Sequence, residues 1–114
     1  MSLKSKGFSK KLRLTKPCEF KKVKDAGKYV SSRMFILSFC ANSSDQPRLG
    51  LVVSSIIKRA VDRNRIKRLV REHFRNNLNS YPKSDIIFVA KQRAEKATNE
   101  EIFKDIETLL EKTK

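Results

Sequence analysis

Arg48-Leu-Gly-Leu-Val-Val-Ser54, then Ala60-Val-Asp-Arg-Asn-Arg-Ile-Lys-Arg-Leu-Val-Arg-Glu-His-Phe74, then Asp85-Ile-Ile-Phe-Val-Ala90: the change of period along these stretches decides the fold. The first and last are short apolar runs of strand composition. The last is apolar without a break after Asp85, the pattern of a strand covered on both faces. Between them the period becomes helical. At about 100° per residue, Ile66, Leu69, Val70, His73 and Phe74 gather on one arc. Asn64, Lys67, Arg68, Arg71 and Arg75 fall on the opposite arc, with Arg65 at its edge. The spacing predicts a helix over about 62–77, with Asp62 as its N-cap. Leu78 to Ser84, which contains Pro82, reads as a loop.

Working upstream, Met34 to Cys40 is a strand. Phe35, Leu37 and Phe39 point one way along it, and Met34, Ile36 and Ser38 the other. The polar stretch Asn42 to Pro47 is a turn signal that predicts an antiparallel hairpin with the Arg48 strand. Tyr29-Val30 is a further short strand. Pro17 to Ala26 reads as a helix: Pro17 suits the first turn, Glu19 the positive end of the dipole, and Gly27 the exit. Residues 1–16 hold six basic residues and no acid, and 1–14 is expected to be a flexible basic arm. Downstream, Thr98-Asn-Glu-Glu101 is a capping box. It opens a helix whose core face is Ile102, Phe103, Ile106, Leu109 and Leu110. The order is α-β-β-β-α-β-α, an α+β fold with three helices packed on a small sheet, in one domain spanning 1–114.

Charge narrows the function. The chain of 114 residues carries 27 Lys and Arg against 12 Asp and Glu, a net +15, which calls for a polyanionic partner. Residues 1–93 hold 23 bases and six acids; the segment beyond is nearly neutral, so the partner surface lies in the first part. Cys18 and Cys40 lack metal-ligand spacing and a disulfide framework, and read as reduced, semi-buried thiols of a cytosolic protein. No apolar run reaches the ~18 residues of a membrane span, and no signal-peptide core follows the basic start. The expected location is cytoplasmic.

From Lys58 to Arg75 there are eight bases (Lys58, Arg59, Arg63, Arg65, Lys67, Arg68, Arg71, Arg75) against Asp62 and Glu72. Lys67, Arg71 and Arg75 recur at four-residue spacing and repel one another, an arrangement that phosphates relieve. Arginine's planar fork bridges phosphate oxygens, and Asn64 can donate and accept at a base edge or a sugar hydroxyl. Catalytic equipment is missing from the pattern. The sole histidine, His73, falls on the apolar arc and reads as a packing residue, the carboxylates are scattered, and three glycines make no phosphate loop. Of the aromatics, Phe74, Phe88 and Phe103 take core positions, whereas Phe20, on a sparsely apolar helix, is a candidate for stacking on a base.

These stretches, together with Leu12-Arg-Leu-Thr-Lys-Pro-Cys-Glu-Phe-Lys-Lys-Val23, resemble the protein subunit family of bacterial ribonuclease P over about residues 12–112. The Arg-Asn-Arg-x-Lys-Arg-x-x-Arg run set between two apolar strands is the most specific part. The resemblance implies a four-stranded mixed sheet in a ribosomal-protein-like fold, with a left-handed βαβ crossover that departs from the usual right-handed rule. It also implies a non-catalytic protein, monomeric alone, that partners the ribonuclease P RNA subunit and precursor tRNA. The holoenzyme removes the 5′ leader by hydrolysing one phosphodiester bond, using Mg2+ bound through the RNA; no cofactor is implied for the protein itself. Carried onto this chain, Arg59, Arg63, Asn64, Arg65, Lys67, Arg68, Arg71 and Arg75 would meet the RNA subunit. Phe20, Lys24, Ile36, Ser38, Arg48 and Lys58 would line or flank a cleft for the leader. Lys24 and Ser38 stand where the family often has aromatics, and Ser55 and Ile56 where it often has lysines. Leader binding is therefore expected to use charge more than stacking. A ribosomal or general RNA-chaperone protein is the alternative; a DNA-binding regulator is disfavoured by the lack of helix-turn-helix spacing.

Overall fold

The computed structural model describes residues 17–26, 28–41 and 46–113. The basic arm, Gly27, the turn from Asn42 to Asp45 and the side chains of Pro17 and Glu19 lie outside the described residues. The elements are α1 (Pro17–Ala26), β1 (Tyr29–Ser31), β2 (Phe35–Ala41), β3 (Arg48–Val52), α2 (Ala60–Asn76), β4 (Ser84–Ala90) and α3 (Asn99–Lys112). Their order is the one read from the periodicities. Two 3-10 segments, Leu78–Ser80 and Gln92–Lys96, occupy stretches where the sequence pattern marked no element.

The sheet runs β1-β2-β4-β3. β2 pairs antiparallel with both β1 and β4, while β3 pairs parallel with β4. The expected β2–β3 hairpin is thus corrected: β4 lies between those strands. The physical reason is in the composition of β4, whose Asp85 to Phe88 are all buried. A strand apolar on both faces gains most at the centre of a sheet, and β3 reaches it from the other side through the α2 crossover.

Strand alternation sorts the side chains. Phe35 and Leu37 of β2, Leu49 of β3, and Ile86 and Phe88 of β4 face the main core, where they meet Ile66, Leu69, Val70 and Phe74 of α2. Ile102, Ile106, Leu109 and Leu110 of α3 close the same core. Phe35, Phe74 and Phe88 are fully buried, which contributes ~2–3 kcal/mol each. The capping box forms as expected: Glu101 N–H donates to Thr98 Oγ1 at 3.1 Å, and Thr98 N–H to Glu101 Oε1 at 2.8 Å. From the same helix Asp105 accepts the Met34 N–H at 3.2 Å and the Ser32 hydroxyl, tying α3 to the turn before β2. Helix α1 covers the other face, where Val23 and Ile87 form a small buried cluster with Phe20, Cys40 and Val89 packed against it.

Candidate nucleic-acid interface

The basic helix presents its cations outward. Asn64, Arg68, Arg71 and Arg75 are exposed, Arg63, Arg65 and Lys67 half-buried, and Lys58 and Arg59 exposed in the loop ahead. Among the described residues the side chains of Arg59, Asn64, Lys67, Arg68 and Arg71 have no hydrogen bond or ion pair. Their charge is available to an incoming anion.

Arg63 and Arg65 differ, in a way the sequence did not disclose. Arg63 Nη1 donates to the carbonyls of Ile57 at 2.6 Å and Lys58 at 3.1 Å. The Lys58 N–H donates to Glu95 Oε2 at 3.0 Å, so the loop between β3 and α2 is held from two sides, above a fully buried Ile57. Arg65 Nη1 donates to Asn99 Oδ1 and Nη2 to the Ala97 carbonyl, both at 2.8 Å, which stitches α2 to the start of α3. The same bracing corrects the expected cap. Asp62 is not the N-cap; Arg59 is, without a side-chain cap bond, and the Asp62 and Arg63 N–H groups both donate to its carbonyl. With the loop pinned by Arg63, the helix starts before Asp62, which then lies in the first turn where a carboxylate suits the dipole.

His73 is buried as a packing residue, as its place on the apolar arc implies. Its Nδ1 is 2.8 Å from the Tyr81 hydroxyl and its Nε2 is 3.7 Å from Glu107. Burial holds its pKa below the usual 6.5, against a smaller upward pull from Glu107. Burial raises the Tyr81 phenol, again with Glu107 adding to it. A neutral imidazole accepting from the phenol fits both.

The second surface is the sheet face beneath α1. Residues opposite one another in register share a face, so three rows cross it. Cys40, Asp85 and Arg48 form one; Tyr29, Ser38, Ile87 and Gly50 the next; Ser31, Ile36, Val89 and Val52 the third. Ile36 and Ser38 are half-buried on this floor, Phe20 packs over Ile87, and Lys24 is exposed on α1. The structure therefore brings Phe20, Ile36 and Ser38 together on this face, with Lys24 exposed on the helix that covers it. Lys58 belongs with the braced loop ahead of α2. Arg48 is on the floor but committed: its Nε and Nη2 reach Asp85 Oδ1 and Oδ2 at 2.8 Å each, a bidentate pair to a carboxylate only 2% exposed. Sequence reasoning passed over Lys91. Alternation carried one step past β4 puts it on the same face, and its Nζ donates to Ser31 Oγ at 2.8 Å and the Ser32 carbonyl at 2.5 Å. Cys18 is exposed, against expectation, because α1 has only a narrow apolar stripe, while Cys40 is half-buried; both are free. Among the described residues no cluster of three or more His, Cys, Asp and Glu is placed to hold a metal, and no helix is long and apolar enough to cross a membrane.

Residues 8–114 match the family model described as Ribonuclease P. The ribonuclease P protein component of Pseudoalteromonas atlantica is 46% identical over 98 residues, covering 84% of this chain and 81% of that one. The structure of the Staphylococcus aureus RNase P protein superposes with a TM-score of 0.86 at 35% identity, covering 90% of this chain and 95% of the other. The RNase P protein from Thermotoga maritima gives 0.79 at 30% identity, over 88% and 96%. These relatives support the reading as a ribonuclease P subunit, not as a ribosomal or chaperone protein.

Proposed function

This chain belongs to the ribonuclease P protein family, a protein component of the endoribonuclease complex that processes tRNA, and from that premise we propose how its two surfaces divide the work. The α2 face binds the RNA subunit: Arg59, Lys67, Arg68, Arg71 and Arg75 meet phosphates and Asn64 a base edge or ribose hydroxyl. Arg63 and Arg65 act largely through the loop and helix junction that they brace. The floor beneath α1 holds the single-stranded 5′ leader of precursor tRNA, with Phe20 as one wall and Lys24 supplying charge at its rim. Hydrolysis is carried out by the RNA subunit, through Mg2+ that the RNA binds, on cytoplasmic precursors; the free protein is monomeric.

One observation carries the reading. A helix bearing Lys67, Arg68 and Arg71 outward, with no carboxylate among the described residues paired to any of them, is destabilised by its own repulsion until a polyanion neutralises it. The test is reconstitution with the cognate RNA subunit. Protein alone should leave precursor tRNA uncut, and protein added to the RNA should restore leader removal at low magnesium. Cleavage by the protein alone after stringent purification would refute the assignment of catalysis to RNA. A protein without effect on the RNA's activity would refute the binding role.

A further inference from the structure

Tyr29 is the most exposed large apolar side chain of the described residues, at 64%, and the role proposed above does not use it. It is the first residue of the edge strand β1, opposite Ser38 in register, so its ring stands on the floor beneath α1. Among the described residues its hydroxyl and ring have no partner. The other tyrosine shows what packing does to this side chain here: Tyr81 is 4% exposed, with its ring against Phe74 and its hydroxyl on His73. The row that starts at Tyr29 continues through Ser38, which is small, to Ile87, which is buried beneath α1. The profile is that of a notch, with an aromatic wall at the sheet edge and a low floor next to it. Exposed Lys24, Lys28 and Arg33 lie just before and after it in the chain, and Lys21 and Lys22 are exposed on α1.

We propose that Tyr29 is a stacking platform for one unpaired base of a single-stranded polynucleotide, whose backbone phosphates run along the lysines of α1 and the start of β1. This rests on the reading of the floor as a single-strand site and adds a subsite to it. The chemistry is a planar nucleobase against a solvent-exposed phenol ring, which takes any base but favours the larger purines. It locates an aromatic contact at the sheet edge, where the expectation from Ser38 and Lys24 was that charge dominates.

The chain supplies its own reporter. It has no tryptophan and only two tyrosines, and Tyr81 is sealed in the core, so tyrosine emission that responds to ligand comes from Tyr29. The full chain is titrated at low salt with a short single-stranded oligoadenylate and with an abasic ribose-phosphate strand of equal length. Oligoadenylate should quench the emission, and the abasic strand should not. Tyr29→Phe should abolish the quenching while changing affinity less than about threefold, since the ring remains. Tyr29→Val preserves strand propensity without the ring and should weaken oligoadenylate binding roughly 5- to 100-fold. The affinity of the abasic strand should stay the same in both variants. Quenching that persists in Tyr29→Phe overturns the proposal. So does full affinity in Tyr29→Val alongside a loss in Phe20→Ala, a result that leaves the cleft reading standing. If oligoadenylate does not bind the parent chain, the cleft reading itself fails, and the Tyr29 subsite with it.

Discussion

Replacing Arg65 and Arg68 separately by alanine should produce two different kinds of damage, although both are arginines on the basic side of one helix. Arg65 makes two hydrogen bonds at 2.8 Å, to Asn99 Oδ1 and to the carbonyl of buried Ala97. A bond from a charged donor contributes about 1.5–3 kcal/mol. Arg65 is half-buried and water replaces part of what is lost, so the pair together should be worth about 2 kcal/mol. In a domain of this size that lowers Tm by about 8 °C. Arg68 is exposed and has no partner among the described residues, so its removal should move Tm by no more than about 2 °C. RNA binding should sort them the other way. Loss of one phosphate contact at Arg68 reduces the slope of log affinity against log salt by about 0.9. Arg65→Ala should weaken binding with a smaller change in slope, because it misplaces the start of α3 more than it removes a counter-charge. The assays are thermal unfolding followed by circular dichroism and a salt series of binding to the RNA subunit. An unchanged Tm for Arg65→Ala, or an unchanged slope for Arg68→Ala, refutes the division of labour between braces and contacts.

Three further outcomes follow from the geometry. Arg48→Ala removes the bidentate partner of the buried Asp85 carboxylate and should cost about 3 kcal/mol by urea unfolding; if Arg48→Ala with Asp85→Leu is no more stable than Arg48→Ala alone, the pair is not what holds β3 to β4. His73 has a folded pKa below its unfolded value of about 6.5, so between those values the unfolded chain binds the extra proton. Its stabilising contribution is complete above about pH 6.5 and is lost as pH falls from there to the folded value. His73→Asn should flatten unfolding free energy against pH in that window, and an equally steep variant would show that another group is responsible. Phe20→Ala should impair binding of leader-bearing precursor tRNA more than mature tRNA in filter binding; equal losses would make Phe20 a packing residue for Ile87 alone.

What the sequence disclosed and what it withheld divide along the range of the interaction involved. The helices α2 and α3 and the capping box at Thr98 depend on residues three or four apart, so period and spacing were enough to locate them, whereas α1 was marked by the residues at its two ends. Pairing is a different matter. The turn signal before Arg48 predicts a hairpin that does not form; the apolar run of β4 marks a strand covered on both faces, but its place between β2 and β3 is settled only when the sheet assembles. The basic face was legible because exposure of charge is nearly obligatory. How each arginine spends its donors was not, since Arg63 finds backbone carbonyls, which have no side-chain signature, and Arg65 finds the Ala97 carbonyl and Asn99 Oδ1 far along the chain. Those acceptors explain how one surface is both rigid and charged. Ile57 O, Lys58 O, Ala97 O and Asn99 Oδ1 are all neutral, so Arg63 and Arg65 fix the helix while retaining their full positive charge. Arg48 shows the contrast: bound to Asp85 it joins two strands, and its field is largely cancelled. Bracing through carbonyls and an amide lets α2 hold its shape before any polyanion arrives, without consuming the charge that would attract one.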